Sequence, residues 1–484
     1  MTDPYDYTYA KLLYANRPER FSNIIIIFAR KYLHMDSASA TAGRHAKQQY
    51  IFSIFIIGIF FFIFGFVTWL NSVLIPFLKV ACEKNNFESY FVAFAFYISY
   101  FVMAIPSSFV LHKIGFKNGM SLGLVVMAAG ALVFIPAAYS RTFGLFLTGL
   151  FVQGTGLAIL QTASNPYVTI LGPIESAAKR ISIMGICNKT AGVISPLILG
   201  FIVLKGMDKF DKKYLGALNE VQRNIALNGL AGRIILPYII MAVILVLLAI
   251  LLRYSTLPDI DTDKEEVEDI QTHRTRTSIF QFPQLILGVV AIFVYVGVEV
   301  IAVDTIINYG KYMGVSFELS KYFASYTLAA MVVGYIIGII LIPKYLRQEL
   351  VLAISAFFGI AFVFCALIAV RANYQASWLI HFGSFSLSLP FDLSVFFIAL
   401  LGLANAIMWP AIWPLAIDGL GKFTKIGSSL LIMGIAGGAV LPLLYGRLAD
   451  LFSPTRAYWI AVPCYAFILY YALRGHKIRS WKDN

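Results

Sequence analysis

Twelve times along its 484 residues the chain runs for about twenty residues or more with scarcely a charge, and this recurrence limits its fold more than any single motif. A helix rises about 1.5 Å per residue, so about twenty apolar residues cross the hydrocarbon core of a bilayer. The runs lie near 51–78, 87–111, 118–138, 142–169, 181–204, 234–252, 279–309, 320–343, 349–371, 392–416, 426–448 and 456–474. Irregular backbone in lipid leaves its N–H and C=O groups unpaired, so each run is expected to be a helix. Charged residues make up 13% of the chain, against about 25% in a soluble domain. Water cannot be the solvent for so apolar a surface, and the chain reads as an all-α membrane protein with the lipid bilayer as its partner.

The net charge of +13 does not point to nucleic acid, because the lysines and arginines punctuate the gaps between apolar runs instead of clustering on one soluble module. An even number of spans puts both termini on one side. With that side cytoplasmic, 23 Lys/Arg lie inside, 14 outside and one, Lys189, within a span, which fits the positive-inside rule. The loop 205–233 opposes this lean with six cations. The expected organisation is a cytoplasmic tail over 1–48, a six-helix bundle over 49–252, an acidic cytoplasmic linker over 253–278, a second bundle over 279–475 and a cytoplasmic tail over 476–484. The run Ile24 to Ala29 is too short for a signal peptide, and residues 1–34 read as an extension before Met35. Four scattered cysteines, Cys82, Cys187, Cys365 and Cys464, suggest neither a metal site nor a disulfide framework.

The halves echo one another. Gly192, Pro196 and Gly200 in the fifth span recur as Gly438, Pro442 and Gly446 in the eleventh, 246 positions on, and Gly156-Leu-Ala recurs as Gly402-Leu-Ala in the same register. Parallel six-helix repeats are the architecture of major facilitator transporters, whose sites lie near the midplane between the halves.

Polar groups inside lipid are costly unless they face a partner or a cavity, so they mark function. Asn71 and Ser72 precede Pro76 in the first span, and an amide both donates and accepts, as a hydroxyl-rich ligand requires. Packing around Pro76 is the structural alternative. Gln161 and Asn165 are four apart and share a face of the fourth span, with Pro166 expected to disturb the helix there. Asn188 and Lys189 lie well inside the fifth span, where the lysine either snorkels to headgroups or serves a cavity. Glu299 and Asp304, five apart in the seventh span, cannot share a helix face unless the helix breaks, for which Gly297 and Gly310 offer weak points. Each is a candidate coupling carboxylate, with pairing to Lys189 as the structural alternative. Asn405, Trp409 and Trp413 follow helical spacing in the tenth span, where an indole can stack on a pyranose or simply pack, and Tyr97 and Tyr100 are weaker candidates in the second.

These stretches resemble the fucose:proton symporter family of the major facilitator superfamily, and within it the bacterial glucose/galactose branch, over nearly all of residues 50–475. The resemblance rests on Gly65 to Pro76 (GFVTWLNSVLIP), Ala95 to Phe101 (AFYISYF), Gln161 to Pro173 (QTASNPYVTILGP), Asn188, and Gly427-Ser-Ser with Gly437-Gly438 downstream. The superfamily's loop signature is degraded, reading Ser108 to Lys117 with His112 in place of an aspartate. The resemblance implies a secondary transporter in a bacterial inner membrane, importing a neutral monosaccharide by alternating access. It implies sugar contact at Asn188, the family's fifth-span asparagine. Two departures matter: the family's proton-coupling aspartate and glutamate are replaced by Ser72 and Gln161, which cannot carry a proton near neutral pH.

The expected substrate contacts are therefore Asn71, Gln161, Asn165, Asn188, Trp409, Asn405 and Tyr97, and the expected coupling groups Asp304, Glu299, Ser72 and Lys189. Sodium, with Ser72 and Asp304 as ligands, ranks slightly ahead of a proton on Glu299 or Asp304, and an uncoupled facilitator or a transport-inactive sugar sensor is the alternative. No cofactor is expected and a monomer suffices. Drug export would predict an aromatic and methionine-rich cavity, and a membrane-embedded enzyme lacks its motifs, with no HExxH and no GxSxG.

Overall fold

Where each span starts and stops follows from local chemistry. The computed structural model describes residues 44–170, 177–255, 278–342, 345–372, 375–382 and 385–481. The expected tail 1–48 and linker 253–278 fall almost entirely outside them. Contacts divide the chain into Met1–Phe52, of which only the helical residues 44–52 are described, and Ser53–Asn484, to which everything below refers.

Among the described residues, eleven helices are long and apolar enough to cross a membrane: α1 Ser53–Ala81, α2 Asn86–Ile114, α3 Phe116–Ser140, α4 Phe143–Ser164, α5 Arg180–Val203, α6 Glu220–Tyr254, α7 Pro283–Asp304, α8 Phe317–Leu341, α9 Gln348–Val370, α10 Leu393–Ile417 and α11 Ile426–Leu451. The twelfth, α12, runs as Pro454–Ala457, Tyr458–Ile460 and Ala461–Leu473, with a tight turn interrupting an otherwise continuous path. Its start is set by Ser453, whose side chain accepts the Arg456 N–H, and by Pro454 in the first turn. The start of α2 is set by a reciprocal capping box between Asn85 and Glu88. Gly115, at φ 81°, makes the sharp turn from α2 to α3.

The repeat legible in sequence reappears as matched close approaches. Gly65 of α1 lies against the Asn188 carbonyl of α5, where a Cβ would stand 1.8 Å from the oxygen, and Gly437 of α11 lies against the Phe293 carbonyl of α7 at 1.7 Å. Gly154 of α4 meets the Phe96 carbonyl of α2 as Gly402 of α10 meets the Thr327 carbonyl of α8. Small residues let backbones touch where lipid offers no hydrophobic drive for association. The fold is therefore two six-helix repeats, α1–α6 and α7–α12.

Several helices are broken at polar residues. In α1 the helix is interrupted at Leu70, directly before Asn71, and in α10 at Ala406 and Ile407, directly after Asn405. The α7 helix is unbroken to Asp304, is interrupted at Thr305 and resumes as Ile306–Tyr312. Neither Gly297 nor Gly310 is the break. Thr305 is, its hydroxyl donating to the Ile301 carbonyl at 2.7 Å, a back-bond that bends helices. Helix geometry is kept through Pro166 to Ile170.

Two features lie outside the sequence expectation. An antiparallel hairpin, β1 Gln375–Phe382 and β2 Phe385–Asp392, joins α9 to α10, with Gln375 opposite Asp392 and Phe382 opposite Phe385. The C-terminal stretch is also docked: Arg479 pairs with Asp418, and the Trp481 indole donates to the Phe280 carbonyl at 2.8 Å. Alternating spans put the α1–α2, α5–α6, α7–α8 and α11–α12 connections at one end of the bundle, called below the loop 1–2 face.

Candidate functional site

Three helices meet at Lys189. Its Nζ lies 2.6 Å from Glu299 Oε1 on α7 and 4.5 Å from the ring centroid of Trp69 on α1. Both charged side chains are buried, so the lysine does not snorkel to headgroups. Gly192, about one turn further along α5, makes room for the indole: a Cβ there would stand 2.4 Å from Trp69 Cδ1. Removing either charge from water alone is expensive, and together they neutralise one another across the two halves. Tyr295 precedes Glu299 by one turn. Tyr335 of α8 packs over Gly185 of α5, and Ser325 Oγ donates to the Val193 carbonyl at 2.8 Å, so α5 and α8 also join the halves here.

The expected amides divide into two kinds. Gln161 Nε2 donates to the Tyr100 hydroxyl at 3.2 Å, and Asn188 Nδ2 donates to the Phe61 carbonyl at 3.3 Å. Each ties neighbouring helices of the first half with a long bond and keeps its amide oxygen as an acceptor. Asn71 is different: it is 1% exposed, and among the described residues neither its Nδ2 nor its Oδ1 has a hydrogen-bond partner. Asp304 is fully buried with both carboxylate oxygens in the same condition, as is the Tyr97 hydroxyl. Both Asp304 and Glu299 lie within electrostatic reach of Tyr97. Polar groups left unsatisfied inside a native protein are uncommon and call for an explanation such as a ligand, ion or water.

Other expected residues are partly engaged. Asn405 Oδ1 accepts the Tyr465 hydroxyl at 2.9 Å, joining α10 to α12 inside the second half, while its Nδ2 has no partner among the described residues. Ser72 Oγ donates to the Trp69 carbonyl at 2.8 Å and supports the break in α1. The Asn165 side chain lies outside the described residues. Trp409 and Trp413 are half-buried with ring centroids 5.3 Å apart, and Trp409 lies 6.4 Å from Tyr295, on the Glu299 side of α7. Sequence reasoning missed Tyr295 and Tyr335. The first had a signal, its i,i+4 spacing to Glu299.

A shallow apolar groove lies where α2 of the first half meets α7 and α11 of the second, lined by Ile98 and Phe101 of α2, Val289 and Phe293 of α7, and Met433 and Val440 of α11. Two six-helix repeats with helices broken at buried polar residues are the architecture of a membrane transporter.

Residues 56–424 match the Major Facilitator Superfamily, and the chain belongs to that family. It is 32% identical to a glucose/galactose transporter of Brucella abortus biovar 1 (strain 9-941), over 92% of this chain and 97% of that one. It is 27% identical to an L-fucose-proton symporter of Escherichia coli (strain K12), over 88% and 93% of the two chains. Among solved structures it resembles a Major Facilitator Superfamily transporter, FucP, in the outward conformation, with TM-score 0.65, 25% identity and coverage of 89% and 99%. The resemblance read over nearly all of residues 50–475 is thus matched by relatives that cover 88–92% of the chain.

Proposed function

We propose that this transporter imports a neutral monosaccharide of the glucose, galactose or fucose kind across a bacterial inner membrane, coupled to a cation that binds at Asp304. The loop 1–2 face is then external, and the termini and the 253–278 linker cytoplasmic. The observation that carries the reading is a contrast of charge. Lys189 and Glu299 cancel one another at 2.6 Å, while Asn71, Tyr97 and Asp304 keep unsatisfied donors and acceptors. A self-neutralised pair offers no net charge to a charged substrate, whereas amides and a hydroxyl suit sugar hydroxyls. Trp409 supplies a flat apolar face for a pyranose. The sugar-transporting relatives support the same substrate class.

In this reading Asn71, Gln161, Asn188 and Tyr97 bind hydroxyls on the first half, and Trp409 closes from the second. Asp304 takes the cation, with sodium ranked ahead of a proton and Ser72 among its oxygen ligands. The Lys189–Glu299 pair bridges α5 and α7 and parts when the halves rock. The test is uptake of labelled glucose, galactose, fucose and N-acetylglucosamine into proteoliposomes holding the full chain. Entry of at least one sugar, slowed tenfold or more by Asn71→Leu, is expected. If none enters yet one binds, the protein is a sensor; if none binds, the substrate class is wrong.

A further inference from the structure

At the loop 1–2 face the two halves use one device twice. Asp208, in the connection after α5, accepts the Phe317 N–H at the start of α8, at 2.9 and 3.1 Å from its two carboxylate oxygens, and pairs with Lys311. Asp450, in the last turn of α11, accepts the N–H groups of Asn86 and Phe87 at the start of α2, at 3.2 and 2.8 Å, and the Asn86 side-chain amide at 2.6 Å. The internal repeat relates α5 to α11 and α2 to α8. One carboxylate therefore reaches from the first half to the second, and its counterpart reaches back.

Each bond joins a full negative charge to backbone donors that have no partner within their own helix. Neighbouring contacts reinforce both points. Glu318 Oε1 accepts the Gly206 N–H at 2.9 Å beside Asp208. Beside Asp450, the Tyr90 ring sits over Gly446, where a Cβ would stand 2.4 Å from Cδ2, and meets Tyr445 edge-on with centroids 5.7 Å apart. When the halves part at this face, carboxylates and helix starts lose their partners together.

We propose that Asp208 and Asp450 form a two-point latch that holds the loop 1–2 face shut, and that this face opens only when both are released. The latch belongs to alternating access itself and does not depend on which solute is carried.

The experiment measures the distance across this face by pulsed electron paramagnetic resonance on the full chain. Spin labels go on Tyr139→Cys, exposed at the end of α3, and Trp459→Cys, exposed at the start of α12, with the four native cysteines replaced by serine. The parent should give one short distance. Asp208→Asn or Asp450→Asn should each raise the ratio of long to short distances about tenfold, the worth of one charge-assisted bond, and the double variant more than either. Asp208→Glu and Asp450→Glu, which keep the carboxylate, should stay nearer the parent. Unchanged distributions in both asparagine variants overturn the proposal. So does equal broadening in the asparagine and glutamate variants, which reports disorder instead of release.

Discussion

The seam at the loop 1–2 face and the polar cluster deeper in the bundle are built from the same side chains and treat them in opposite ways. At the seam Asp208 and Asp450 are surrounded by donors, whereas Asp304 has none among the described residues. Asn86 gives its amide to Asp450, while Asn71 gives its amide to no partner among the described residues. The difference separates two jobs for polar groups in a transporter. In the proposed reading, groups with complete partners hold a conformation, and Asn71, Tyr97 and Asp304, left incomplete, await cargo or ion.

The largest effect expected from breaking this comparison falls on Lys189 and Glu299, which belong to both classes because they are paired and also line the site. Lys189→Ala strands a buried carboxylate and should lower stability by about 3–5 kcal/mol, read as thermal unfolding in detergent. Lys189→Met with Glu299→Leu should recover most of that loss while transport stays impaired. Failure of the double variant to recover would make the pair a packing element whose shape, not charge, matters.

Smaller effects sharpen the line between contact and scaffold. Trp409→Ala should weaken sugar affinity about tenfold, equivalent to about 1.4 kcal/mol, with little change in unfolding temperature. Asn405→Asp, which keeps the Oδ1 acceptor for Tyr465, tests the scaffold role, and Asn405→Leu should do the reverse of Trp409→Ala if that bond is its main task. It removes the bond to Tyr465 and should cost about 1 kcal/mol of stability, with sugar affinity unchanged, as binding measured by calorimetry would show.

The smallest expected effect is pH dependence of the latch. Burial pushes the Asp208 carboxyl up, but the bonds from Lys311 and the Phe317 N–H outweigh it and hold the group below the usual carboxylate range. A depressed carboxyl contributes its stabilisation above the ordinary value of about 3.9 and loses it only as pH falls through the lower one. Distances across the face should therefore not change between pH 8 and 5. A change near pH 6.5 would place control with another group.

Much of the fold is legible in the sequence because lipid is a strict solvent. Apolar runs of about twenty residues identify the spans, and the few charges inside them, Lys189, Glu299 and Asp304, stand out against that background. Which of them pair is not legible, because Lys189 and Glu299 are 110 positions apart. Asn405 shares a helical stripe with Trp409, yet its partner Tyr465 lies 60 positions away on another helix. The hairpin between α9 and α10 is hidden because eight-residue strands are far shorter than the runs that mark spans. The latch is hidden because Asp208 and Asp450 sit at helix ends, where acidic residues are ordinary.

The central claim, that Asp304 is left incomplete in order to bind the coupling cation, is tested most directly by one variant. Wild type and Asp304→Asn would be reconstituted in parallel, and sugar accumulation compared under an imposed sodium gradient, a proton gradient and neither. Accumulation above equilibrium is expected for the wild type under one gradient. Asp304→Asn should lose it while still equilibrating sugar across the bilayer and unfolding at about the same temperature, since an amide of nearly the same size replaces the carboxyl. Full gradient-driven accumulation by Asp304→Asn would contradict the account and leave Asp304 a structural residue.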